Sequence, residues 1–106
     1  ALNPYYSFEY PWNLGLANYT LGRYEEAVDA LQHALERNEQ VLLPRLYLAA
    51  SYVRLGQQDD AEWEIVQVNI EYPDVRLSLM ANILPYEDED KMNAFIDDLR
   101  KAGVQE

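Results

Sequence analysis

The chain repeats itself with a period of 34 residues. Leu14, Leu21, Gly22 and Ala27 return as Leu48, Leu55, Gly56 and Ala61. Around these identities residue class also recurs: Gly15 with Ala49, Glu25-Glu26 with Asp59-Asp60, Leu31 with Ile65, and Ala34 with Val68. A fixed period of this length describes a stack of similar units, not a single globular core. A stack offers surface, so the function of such a chain is expected to lie in binding.

The unit itself is helical. Pro4, Pro11, Pro44, Pro73 and Pro85 fall where helices would begin or end, as the missing N–H and fixed φ of proline require. Gly22, Gly56 and Gly103 follow apolar periodic stretches, where a left-handed C-terminal cap is wanted. Gly15 and its counterpart Ala49 lie inside helical patterns, and a small residue in both copies predicts close helix–helix approach. The spacing predicts helices over roughly Phe8–Leu21, Tyr24–Asn38, Leu42–Leu55 and Gln58–Tyr72, a short one over Val75–Ile83, and a last one over Glu89–Ala102. The Gly22-Arg23 turn is too short for anything but an antiparallel hairpin. No stretch alternates with the period of a strand.

The faces of these helices set the expected packing. The second helix puts Ala27, Leu31, Ala34 and Leu35 on one side, with its acids mostly elsewhere. The fourth has two stripes: Ala61, Ile65, Val68 and Tyr72, and separately Trp63, Val66 and Ile70. A helix apolar on two sides is expected to pack on two sides. The last helix, with Met92, Phe95, Ile96 and Leu99 in register, is the element expected to cover the second stripe. Asp88 is its expected N-cap, and Gly103 with Val104 over Leu99 fits a Schellman ending.

Composition excludes several classes of function. The 106 residues make one small domain or a piece of a larger protein, and a start at Ala1 rather than Met favours the piece. Net charge is −11, from 19 acidic and 8 basic residues. Such a surface repels phosphates and anionic lipid, so neither nucleic acid nor membrane is an expected partner. No Cys is present, which fits a reducing, cytoplasmic setting. No apolar run approaches the roughly 20 residues of a membrane span.

Nothing in the sequence assembles a reaction centre. His33, the only histidine, lies among Gln32, Glu36 and Arg37 on an outward face, without the partners that catalysis or metal binding needs. Glu87-Asp88-Glu89-Asp90 lacks the ligand pattern of a calcium loop and matches the acid preference of a helix start. Asp59-Asp60 and Asp97-Asp98 are neighbours pointing about 100° apart on a helix, so neither pair is an acid/base dyad. No catalytic residue, cofactor or metal is expected, and a small enzyme or ligand-binding domain is set aside on the same ground.

These residues resemble tetratricopeptide repeats, whose pattern runs Trp-x2-Leu-Gly-x2-Tyr, then Ala-x3-Phe, Ala and Pro. The first copy supplies Leu14, Gly15, Ala27, Leu31 and Ala34, and departs with Pro11 for Trp, Asn18 for Tyr and Glu39 for Pro. The second supplies Leu48, Ala49, Tyr52, Ala61, Ile65, Val68 and Pro73. The resemblance implies an all-α fold: antiparallel helix pairs in a short right-handed superhelix, with a C-terminal capping helix. It divides the chain into a remnant of a preceding repeat (1–7, on Leu2-Asn3-Pro4), repeats over 8–41 and 42–75, and a C-terminal part over 76–106. In this family the first helix of each pair lines a concave groove. That places Trp12, Asn13, Leu16, Tyr19, Leu46, Tyr47, Ala50 and Arg54 on the partner-binding face. Trp12 and Leu16 stand where carboxylate-gripping members present Lys and Asn, so a chaperone-tail clamp is not implied.

A second resemblance concerns the C-terminus. Leu84-Pro85-Tyr86-Glu87-Asp88 with Leu99-Arg100-Lys101-Ala102-Gly103 is similar to the ending of bacterial proteins. In these a tetratricopeptide region follows a class III adenylate/guanylate cyclase domain or a winged-helix regulator. The implied function is a protein–protein interaction or assembly module of a larger signalling protein. The alternative is an intramolecular regulatory module contacting a cyclase or winged-helix domain of its own chain. The N-terminal aromatics Tyr5, Tyr6, Phe8 and Tyr10 are expected to pack against a lost neighbour or to form a homodimer.

Overall fold

The structure, a computed structural model, describes residues 9–37, 42–83 and 88–106. Expectations placed on Leu2-Asn3-Pro4, on Tyr5, Tyr6 and Phe8, on the Tyr10 side chain, on Glu39 and on residues 84–87 lie outside it. Among these residues six α-helices appear in order: α1 (Glu9–Thr20), α2 (Tyr24–Arg37), α3 (Leu42–Arg54), α4 (Gln58–Glu71), α5 (Met80–Ile83) and α6 (Glu89–Ala102). A single 3₁₀ turn, Leu77–Leu79, leads into α5, where a continuous short helix over Val75–Ile83 was expected. Among the described residues there is no strand.

The 34-residue period survives down to individual hydrogen bonds. In the first turn Gly22 N donates to Tyr19 O (3.1 Å) and Arg23 N to Asn18 O (2.8 Å). In the second, Gly56 N donates to Val53 O (3.1 Å) and Gln57 N to Tyr52 O (2.9 Å). Gly22 and Gly56 hold φ of +80° and +75°, values that a side chain on Cα disfavours. These turns fold α1 onto α2 and α3 onto α4 as antiparallel hairpins.

The hairpins close on small residues. Ala27, Leu31 and Ala34 of α2, and Ala61, Ile65 and Val68 of α4, are buried. A Cβ built on Gly15 would lie 2.5 Å from Leu31 Cδ2, which shows how closely α1 approaches α2. In the second copy Ala49 is accommodated at the same position and is itself fully buried.

The last helix departs from expectation. Its ends are as predicted: Asp88 accepts from Asp90 N (2.8 Å) and Lys91 N (3.3 Å). Gly103 (φ +114°) donates to Leu99 O, as does Val104 N (3.0 Å), with Val104 buried. Its place is different. Against the preceding hairpin α3 beds mainly on α2 and less on α1, whereas α6 beds mainly on α3 and only slightly on α4. The stripe it was expected to cover stays open, with Trp63 57%, Val66 53% and Ile70 68% exposed. That stripe lies on the side of α4 away from its core residues. The rings of α1 and α3 offer Phe95 a deeper site, and α6 goes there.

The chain end is fastened as well. Leu77 N donates to Gln105 O (2.8 Å) and Ser78 N to Glu106 O (3.1 Å). The Gln105 side chain donates to Val75 O (2.8 Å). No helix among the described residues is long and apolar enough to cross a membrane.

Candidate partner-binding groove

The face assigned to partner binding draws on α1 and α3, which touch each other. Trp12 and Tyr47 meet with ring centroids 5.4 Å apart, and Tyr19 meets Tyr47 edge-on at 5.3 Å. The eight residues assigned to the groove divide in two. Trp12 and Leu16 are half-buried, while Asn13 and Arg54 are exposed. Tyr19, Leu46, Tyr47 and Ala50 are buried.

Two of the buried four, Tyr19 and Tyr47, lie against Phe95 of α6. Phe95 stacks on Tyr47 at 4.0 Å with planes only 11° apart, and Tyr19 approaches its edge at 5.6 Å. Three residues beyond Phe95, Asp98 is 1% exposed. Its Oδ2 accepts from Tyr19 Oη (2.5 Å) and Arg54 Nε (2.8 Å), so α1, α3 and α6 converge on one carboxylate. A buried carboxylate requires such donors. The bond to Asp98 holds the Arg54 guanidinium more firmly protonated than an ordinary arginine. The Arg54 head also stands 5.8 Å from the centre of the Tyr24 ring, within cation–π range.

Asp98 was missed in the sequence, where it was weighed only as half of an adjacent Asp-Asp pair that is no acid/base dyad. The signal was its position three residues after Phe95, on the apolar side of the helix. Its neighbour Asp97 does face solvent, bonded to Arg100 (2.6 Å). A cleft of about 90 Å³ opens beside the cluster, among Tyr19, Thr20, Tyr24, Arg54, Lys91 and Ala94. It is several times the roughly 10–15 Å³ that one water needs.

Elsewhere the polar chemistry is structural. Arg45 Nη1 pairs with Glu64 Oε1 at 2.7 Å, with both side chains largely buried. Burial pushes the Glu64 carboxyl above the ordinary glutamate range, with Arg45 pulling the other way. His33 stands in solvent beside Asp29, 4.0 Å away. Among the described residues no cluster of three or more His, Asp or Glu could hold a metal.

Two helix hairpins with matched turn bonds, 34 residues apart, reproduce the architecture that the residue pattern implied, and the family model for the tetratricopeptide repeat matches residues 12–41. The chain carries a tetratricopeptide repeat. The match begins at Trp12, runs through the Gly22 turn and includes α2. Tetratricopeptide repeats generally mediate protein–protein interaction. No curated protein and no solved structure matches the chain at a significant level.

Proposed function

We propose that this tetratricopeptide chain is an interaction or assembly module of a larger bacterial signalling protein, acting in the cytoplasm. A partner segment would enter the concave face at the end that α6 leaves open. The observation that carries this reading is Trp12. Its ring is held against Tyr47 yet remains half-exposed, next to the exposed Asn13 and half-buried Leu16. A pre-positioned aromatic with a polar neighbour is the usual composition of an interface hot spot. Arg54 supplies polar selectivity at the other side of the face. Tyr19, Leu46, Tyr47 and Ala50 serve as the buried floor beneath Trp12, and α6 holds Tyr19 and Tyr47 there through Phe95.

The partner is a protein or peptide; the charge of −11 disfavours nucleic acid and anionic lipid. The signalling context rests on the C-terminal resemblance alone. Selection of displayed peptides against the chain, followed by titration into variants, tests the groove. Trp12→Ala is expected to weaken a groove ligand by about thirtyfold, the equivalent of about 2 kcal/mol. Unchanged affinity in both Trp12→Ala and Leu16→Ala overturns the groove reading. Binding confined to a cyclase or winged-helix domain of the same polypeptide would instead support the intramolecular role. A dimer abolished by substitutions at Tyr5 and Tyr6 would place a second copy on the aromatic N-terminal residues.

A further inference from the structure

The repeat supplies its own control for the exposed stripe of α4. Moved back by 34 residues, Trp63, Val66 and Ile70 become Asp29, Gln32 and Glu36 of α2. All three of those are polar and exposed. Both helices bury the opposite side in the same way, so the architecture does not ask for apolar residues here. Three large apolar side chains, each more than half exposed, lie at i, i+3 and i+7 on one helical line. Beside Trp63 a groove of about 400 Å³ runs between α2 and α4, lined among others by Gln32, Leu35, Glu36, Leu48 and Gln67.

The charge around the stripe selects its occupant. Asp59 and Glu62 flank it at the start of α4 and Glu71 at its end, all exposed, and Glu36 stands across the groove. Arg45, which also reaches the groove, is paired with Glu64. A second copy would set acid against acid on a chain of net charge −11, and an anionic membrane would do the same. A basic segment meets the opposite condition: its cations face Asp59, Glu62 and Glu71 and can lie over the Trp63 indole.

We infer that the outer face of α4 is a second docking surface, for a basic amphipathic helix of a partner protein. Its apolar side lies along Trp63, Val66 and Ile70. This surface is independent of the concave groove and of α6.

A displayed library of helix-forming segments of about five turns, about 18 residues, tests it, with counter-selection against Trp63→Asp/Ile70→Asp. The expected segments are Lys- or Arg-rich with apolar residues at i, i+3 or i+4, and i+7. Their affinity should fall at least about tenfold, about 1.4 kcal/mol, in the double variant, and also fall in Asp59→Lys/Glu62→Lys. It should stay within about twofold in Trp12→Ala and weaken with added salt. The positions substituted on α4 are all exposed, and circular dichroism confirms that each variant is folded. The proposal is overturned if no selected segment distinguishes wild type from the Trp63/Ile70 variant, or if those that do are acidic. It is also overturned if the stripe instead holds a dimer lost in that variant, or if phosphatidylserine vesicles bind there.

Discussion

The two hairpins share a period, their turns and their close helix contacts, and differ elsewhere. Their turns match bond for bond, from Gly22 and Arg23 to Gly56 and Gln57. Their interiors do not. Where the first hairpin has Pro11 and Ala30, the second has the Arg45–Glu64 pair. Where the first has Tyr19, reaching to Asp98, the second has Val53. Where the first turns Asp29, Gln32 and Glu36 to solvent, the second turns Trp63, Val66 and Ile70. The lesson is one of division. Turn geometry and close helix contacts are common to both units, whereas what each unit must pack against determines the rest. The first hairpin is followed by another hairpin, and the second is followed by a helix laid mainly against α3.

The sharpest way to break the comparison is to remove what α6 adds. Phe95→Ala is expected to destabilise by about 3–5 kcal/mol, read as a shift in denaturant midpoint, because a fully buried stacked ring is lost from the Tyr47 site. A loss below about 1 kcal/mol would mean that α6 is not part of the cooperative unit.

Next in size is the ion pair that the first hairpin lacks. Arg45→Met or Glu64→Leu alone should cost about 2–3 kcal/mol by removing one side of a buried ion pair, and the double variant should recover much of that loss. A double variant as unstable as the sum of the singles would refute a coupled pair. Glu64 also carries a pH signature. Burial raises its folded pKa, so the folded chain binds the proton more tightly than the unfolded one. The associated stability is present below the ordinary glutamate pKa of about 4.3 and is lost as pH rises through the folded value. The stability of wild type relative to Glu64→Gln should therefore fall across that interval in a pH series of melts.

The turns should behave alike. Gly22→Ala and Gly56→Ala each force a side chain into the left-handed region, at about 1–2 kcal/mol, with no neighbour within 4 Å of the added Cβ in either case. Unequal losses in paired melts would show that the two turns are equivalent in bonding only. The smallest effect belongs to the outer face: Trp63→Gln and Val66→Gln should each change stability by less than about 0.5 kcal/mol. A larger loss would place that stripe inside the fold.

Sequence legibility followed the range of the interactions involved. Local grammar was readable: the left-handed glycines, the Asp88 cap, the Val104–Leu99 ending and the α6 boundaries depend on neighbours a few residues apart. The small-residue approach at Gly15 was readable because both copies showed it. The seat of α6 was not. Periodicity told which of its residues share a side, and Phe95 and Leu99 are indeed buried. It carried no information on which of two apolar surfaces they meet. The candidate groove suffered from the same limit. Two of its residues, Tyr19 and Tyr47, lie against Phe95 of a helix whose destination no local pattern encodes.

The bond from Tyr19 to Asp98 spans 79 positions of the chain. In an open solenoid each unit senses only its neighbours, so stability accumulates unit by unit and the ends can fray separately. Here the first helix and the last share a carboxylate, which closes the array on itself. Loss of order at either end is thereby transmitted to the other, and the short stack is expected to melt as one body. Removing that bond, as in Tyr19→Phe, should let amide exchange at the two ends diverge.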